Sequence, residues 1–211
     1  MKNQAVYTTP ELHAPDFLVN QRVIILGGSA GIGLAVAQAT AAEGAHVIIV
    51  SSKPERVAQA LRTLPAGSEG YAVDLTDEHQ IQAFFAQRGA FDHLVFTAGD
   101  ALHLHALATT DLAAARHAFE LRYFGAPAAV KYAQPYLRPR GPVVLTSGIA
   151  AKRPVRDWAV GASMCGAIEA LTRASAVELA PLRVNAVSPG LVKTELWADN
   201  PNRETLYAAL E

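Results

Sequence analysis

Residues 22 to 33, Arg22-Val-Ile-Ile-Leu-Gly-Gly-Ser-Ala-Gly-Ile-Gly33, restrict what this chain can fold into more than any other stretch. A β-branched run, Val23 to Leu26, breaks into glycines spaced Gly-x-x-x-Gly-x-Gly and then into a small-residue helical pattern from Leu34. That order is strand, phosphate loop, helix. Gly27 permits the tight turn, Gly31 leaves room for a pyrophosphate to approach the backbone, and Gly33 lets the helix pack close on the strand. Ser29 and Ile32 belong to the same loop. Phosphates would sit on the free N–H groups of the helix N-terminus, whose dipole favours negative charge. An ordinary strand-to-helix loop is the alternative, and the βαβ pattern that follows weighs against it.

At 211 residues, 51% of them hydrophobic, one sizeable domain is expected, with residues 1–20 as a polar leader and 21–211 as the folded unit. Eighteen basic residues stand against 19 acidic ones without a basic run, so neither nucleic acid nor an anionic membrane is indicated as partner. Small-molecule chemistry is the default. Cys165 is the one cysteine, and Met1 to Tyr7 contain no hydrophobic signal core, which suits a reducing cytoplasm.

Five further strands are legible. His46–Val50 is nearly all apolar, as in a parallel strand buried on both faces. Gly70–Val73, His93–Thr97, Pro142–Ser147 and Arg183–Val187 follow, separated by helices at about 54–64, 111–137 and 158–179 and by a polar helix start near Thr76 and His79. Pro127 is the expected kink in the long helix. The alternation predicts an α/β fold, a doubly wound, mostly parallel sheet. After His46–Val50 come Ser51, Ser52 and Lys53, where dinucleotide folds meet the adenosine ribose. The stretch runs on to Arg56, and its hydroxyls and cations, where an acidic residue would hold the ribose of NAD, favour NADP(H) over NAD(H); the alternative is a solvated loop before a Pro-started helix. His103 and His105 lack a third ligand, so no metal site is expected.

The glycine loop, Asp74, Ala98-Gly99, Ser147, the Ala/Ser-rich helix and Arg183-Val-Asn-Ala-Val-Ser-Pro-Gly190 stand in the order found in the short-chain dehydrogenases/reductases, which the chain resembles from about 20 to 197. The resemblance implies a single-domain Rossmann fold with six readable strands and the seventh absent or truncated. It assigns Asp74, with Leu75, to the adenine, Ala98 and Gly99 to backbone approach, and Pro189, Gly190, Val192 and Thr194 to the nicotinamide. Ser147 matches the catalytic serine. It also implies a homodimer or homotetramer built on the two long helices.

The chain departs from the family pattern at three places. Arg122 stands where an asparagine supports the catalytic lysine, and Phe96-Thr97 replaces Asn-Asn before Ala98, removing the asparagine hydrogen bonds. With Gly161-Ala162-Ser163 matching the usual context of the active-site helix, the Tyr-x-x-x-Lys pair becomes Val160 and Met164, leaving Cys165 as a small core residue. Loss of a positioned general acid costs about 10² to 10⁴ in rate. The expectation is therefore an oxidoreductase with a non-standard site, in which Ser147 and Arg122 orient a carbonyl, imine, activated alkene or quinone. Its alternative is a cofactor-binding sensor or partner subunit without turnover.

Overall fold

A computed structural model describes residues 17–100, 105–197 and 203–204. Most of the expected leader, residues 1–16, and His103 lie outside the described residues. Six strands form one parallel sheet in the order β3-β2-β1-β4-β5-β6. They are β1 (Arg22–Leu26), β2 (His46–Ser51), β3 (Glu69–Ala72), β4 (His93–Phe96), β5 (Pro142–Thr146) and β6 (Arg183–Val187). Helices α1 (Gly31–Ala42), α2 (Pro54–Leu61), α3 (Glu78–Arg88), α4 (Leu112–Phe119), α5 (Gly125–Ala133) and α6 (Ala159–Glu178) provide the crossovers.

The sheet's sequence explains its burial. β1 aligns Ile24 with Ile48 of β2 and Leu94 of β4, and Val23–Leu26 and Val47–Val50 are all buried. Alternate side chains serve opposite layers, as the pleat requires. Ile24, Leu26, Ile48 and Val50 meet Phe85 of α3, Ala129 of α5 and Ile168 of α6, while Val23, Ile25, Val47 and Ile49 meet Ala37 of α1 and Val57 and Ala60 of α2. A sheet covered on both faces is what a continuous apolar strand needs.

β1 sits between β2 and β4, so strand order reverses there and a crevice opens at the carboxyl ends of the strands. The long helix expected over 111–137 differs from a simple kinked rod. It runs as α4, a π-turn at Glu120–Phe124 and then α5, with the Gly125 N–H donating to the Glu120 carbonyl five residues back. Pro127 has no N–H and sits within the first turn of α5, so the irregularity falls just before it. Gly125 is required here: a Cβ would lie 2.8 Å from the Leu75 carbonyl oxygen.

Candidate active site

One cleft of about 690 Å³ lies along the carboxyl ends of the strands. Every site residue expected from the sequence lines it: Gly27, Ser29, Gly31, Ile32 and Gly33 at the phosphate loop, Ser51, Ser52 and Lys53 after β2, Asp74 and Leu75 after β3, Ala98 and Gly99 after β4, Arg122, Ser147, and Pro189, Gly190, Val192 and Thr194 after β6. Arg56, a cation of the stretch after β2, and Gly161 of the active-site helix join them, as do His117 and Trp158, which carried no sequence signal for the site.

The phosphate loop is built by close backbone approach. Gly27 has φ +87°, and a Cβ on it would lie 2.5 Å from the Ala98 nitrogen. A Cβ on Gly33 would lie 2.2 Å from the Gly27 carbonyl oxygen. Ala30, just before α1, offers no side-chain cap, and the first turn has no acidic residue, so the leading N–H groups remain available to an anion. These features fit a dinucleotide's pyrophosphate. The loss of the asparagine before Ala98 is partly offset: the Thr97 hydroxyl donates to the Leu26 carbonyl (3.0 Å), tying the β4 end to the β1 end.

Asp74 is exposed at the cleft edge and accepts from the Thr76 N–H (2.9 Å) and hydroxyl (2.7 Å). The helix cap nearby is Asp77, which accepts from the His79 and Gln80 N–H groups. Asp74 is thus free of capping duty.

At the other end, Ser147 donates to the Cys165 carbonyl oxygen (3.0 Å). Arg122 is partly buried; its guanidinium donates to the Asp100 carbonyl and lies 3.4 Å from the Asp100 carboxylate. Burial pulls the Arg122 pKa down and Asp100 pulls it back. Burial pushes the Cys165 thiol up, against the Arg122 cation and a hydrogen bond with Ser147.

Here the structure corrects the register of the active-site helix. Val160 lines a separate apolar groove on the far side of α6, with Leu112, Phe119 and Phe124, whereas Gly161 and Cys165 line the cleft. The pair that faces the cleft at i, i+4 spacing is therefore Gly161 and Cys165, one residue later than the register expected from Gly161-Ala162-Ser163. Met164 also lines the cleft but is 4% exposed. Cys165 is a cleft residue rather than a core one. Neither tyrosine nor lysine stands in either register. Among the described residues no group of three metal-ligating side chains occurs.

The open sheet, its switch-point crevice and the glycine loop define a nicotinamide-dependent oxidoreductase of Rossmann type. The chain belongs to the short-chain dehydrogenase/reductase family, whose SDR-like Rossmann domain matches residues 15–211. It is 38% identical over 206 residues to the short-chain dehydrogenase/reductase ATR9 of Stachybotrys chlorohalonatus, covering 90% of this chain and 80% of that protein. A small-chain dehydrogenase solved in complex with NADPH superposes with TM-score 0.77 at 34% identity, covering 90% and 80% of the two chains. The MalC reductase/Diels-Alderase of Malbranchea aurantiaca superposes with TM-score 0.81 at 31% identity, covering 92% and 82%.

Proposed function

We propose that this chain is an NADP(H)-dependent reductase of a small organic substrate, a carbonyl, imine, activated alkene or quinone, working through a non-standard site. The observation that carries the reading is the continuity of the cleft, from the phosphate loop at one end to Ser147 and Arg122 at the other. At the adenosine end, Ser51, Ser52, Lys53 and Arg56 offer hydroxyls and cations to a 2′-phosphate. The similarity to a small-chain dehydrogenase that binds NADPH supports the same choice.

Bound there, the cofactor would supply a hydride. The chain's own part is orientation and charge. Ser147, released from the Cys165 carbonyl, would donate to the substrate's heteroatom. Arg122 would offset negative charge developing on that atom, in a setting where burial strengthens the interaction. It is too basic to give up a proton. Substrates that need little proton donation therefore suit this site best.

NADPH consumption with ketones, imines, enones and quinones tests the activity. Turnover of one class supports a reductase; binding without oxidation across all four would leave the sensor reading. Calorimetry with NADPH and NADH tests the cofactor, and equal or reversed affinities would remove the NADP(H) assignment. A homodimer or homotetramer is supported by the apolar groove of about 640 Å³ between α4 and α6, in which Leu107, Leu112 and Phe124 are exposed. Light scattering showing a monomer would refute it.

A further inference from the structure

Gly161 is a glycine that the fold itself does not require. It lies in the first turn of α6 without a left-handed φ. Among the described residues, and apart from its own helix backbone, a Cβ on it would meet only Trp158 Cε3, at 3.8 Å, an ordinary contact. Glycine weakens a helix relative to alanine, and alanine would fit here. The chain thus lacks a side chain at a point where it has room for one. Gly166 on the same helix is as uncrowded, but it lines neither the cleft nor the outer groove, whereas Gly161 faces the cleft.

The room over Gly161 is bounded by groups of one kind on one side and by the site's hydroxyl on the other. Trp158, which lines the cleft, packs on the buried Trp197 with ring centroids 6.0 Å apart, so its indole is held in place. Ile149, Leu191 and Leu196 also line the cleft and add to its apolar surface. One turn further along α6, about 6 Å, is Cys165, whose carbonyl oxygen accepts from Ser147 (3.0 Å). Ser147 therefore stands about one helical turn from the empty position. In the register that the structure gives, Gly161 is where the family carries its tyrosine, so the group missing from the chain is itself an aromatic ring.

We propose that the slot over Gly161 receives an aromatic ring of the substrate, against the Gly161 backbone and beside Trp158, so that these two residues select aryl-bearing substrates. The proposal rests on the reductase reading for the group that is reduced, and adds which molecules can present it. An aromatic ring suits the slot better than a saturated one, because aromatic pairs attract beyond the area they bury. An apolar wall also penalises a charged or strongly polar group in that place. A reducible group attached to a ring seated there lies within reach of the Ser147 hydroxyl.

Phenol and cyclohexanol share ring size and hydroxyl and differ in aromaticity, which makes them the probes. Both are titrated by calorimetry into the full chain, with and without NADP⁺, and into Gly161→Leu and Trp158→Leu. Wild type is expected to bind phenol about two- to tenfold more tightly than cyclohexanol, the margin that an aromatic pair adds. Gly161→Leu fills the slot with a good helix former and should weaken both ligands by at least about tenfold. Trp158→Leu keeps an apolar wall without the ring and should bring the two affinities together. In NADPH consumption, benzaldehyde should show a lower KM than cyclohexanecarbaldehyde with wild type, and the difference should vanish in Trp158→Leu. Equal phenol affinity in wild type and Gly161→Leu would overturn the proposal, as would a wild type with no preference for phenol. The slot belongs to the chain, so phenol selectivity without any NADP⁺ uptake would support it and overturn the cofactor assignment alone.

Discussion

The Arg122 guanidinium lies directly against the backbone of Gly99: a Cβ there would stand 2.5 Å from Arg122 Cζ. Gly99 therefore serves the arginine as well as any cofactor. The atom in the way is the end of a flexible side chain, so Gly99→Ala should move Arg122 and leave the backbone where it is. Displacing it breaks the contacts to Asp100, and hydrogen bonds to charged groups are worth about 1.5–3 kcal/mol each. The expected cost in urea unfolding is about 1–2 kcal/mol. In an Arg122→Ala background the same glycine substitution should be nearly neutral, a coupling that a double-mutant cycle reads directly.

The register of α6 predicts which residues restore ordinary ketone reduction. Gly161→Tyr places a phenol in the cleft, where a Cβ meets nothing nearer than Trp158 at 3.8 Å. Cys165→Lys would bring a second cation toward Arg122, so Arg122→Asn has to accompany it. The triple variant is expected to gain NADPH-dependent ketone reduction of at least about tenfold, part of the 10² to 10⁴ that a general acid contributes. Val160→Tyr with Met164→Lys should gain nothing, because Val160 lies in the outer groove and Met164 is buried. Activity in the second variant and none in the first would reverse the assignment.

The sheet was readable because its signals are local. Val23–Leu26 and His46–Val50 are buried on both faces and look it, and Gly27 and Gly33 are glycines for reasons that a strand-loop-helix order already states. The register of α6 was not readable, since a run of small residues such as Gly161-Ala162-Ser163 fits the family's helix context in adjacent frames, and only the face that α6 turns to the cleft separates them. The π-turn was hidden for a similar reason: Pro127 announces an irregularity without fixing on which side it falls. Trp158 and Glu195 reach the cleft only through tertiary contacts, from segments with no periodic pattern.

Cys165 is expected to be a slow thiol. Burial raises its pKa, and the thiolate is the reactive form, so less of that form is present at neutral pH than in a free cysteine. Alkylation by iodoacetamide should have a pH midpoint above that of free cysteine. Arg122→Gln removes the cation that opposes burial, so its midpoint should lie higher still. With a single cysteine in the chain, intact mass gives the extent of reaction at each pH. A midpoint below that of free cysteine would contradict this environment.

At the amino ends of the central strands, Asp92 ties β1 to the chain beyond α5. Its carboxylate accepts from the Arg22 N–H (2.8 Å) and from Arg138 Nη1 (2.8 and 2.9 Å). Burial pushes its pKa up, but Arg138 and the Arg22 N–H outweigh it, and the net direction is down. A folded-state pKa below the unfolded value means stability that is fully present above about pH 4, where an unfolded Asp is ionised, and that is lost as pH falls through the lower folded value. Arg138 is half exposed, which limits the size of the effect. Asp92→Asn should therefore lose about 1–2 kcal/mol at pH 7, with wild type and variant converging in acid. Urea unfolding across the pH range checks it: a difference that stays constant down to about pH 2, well below the ordinary Asp value, would mean the carboxylate's charge contributes nothing.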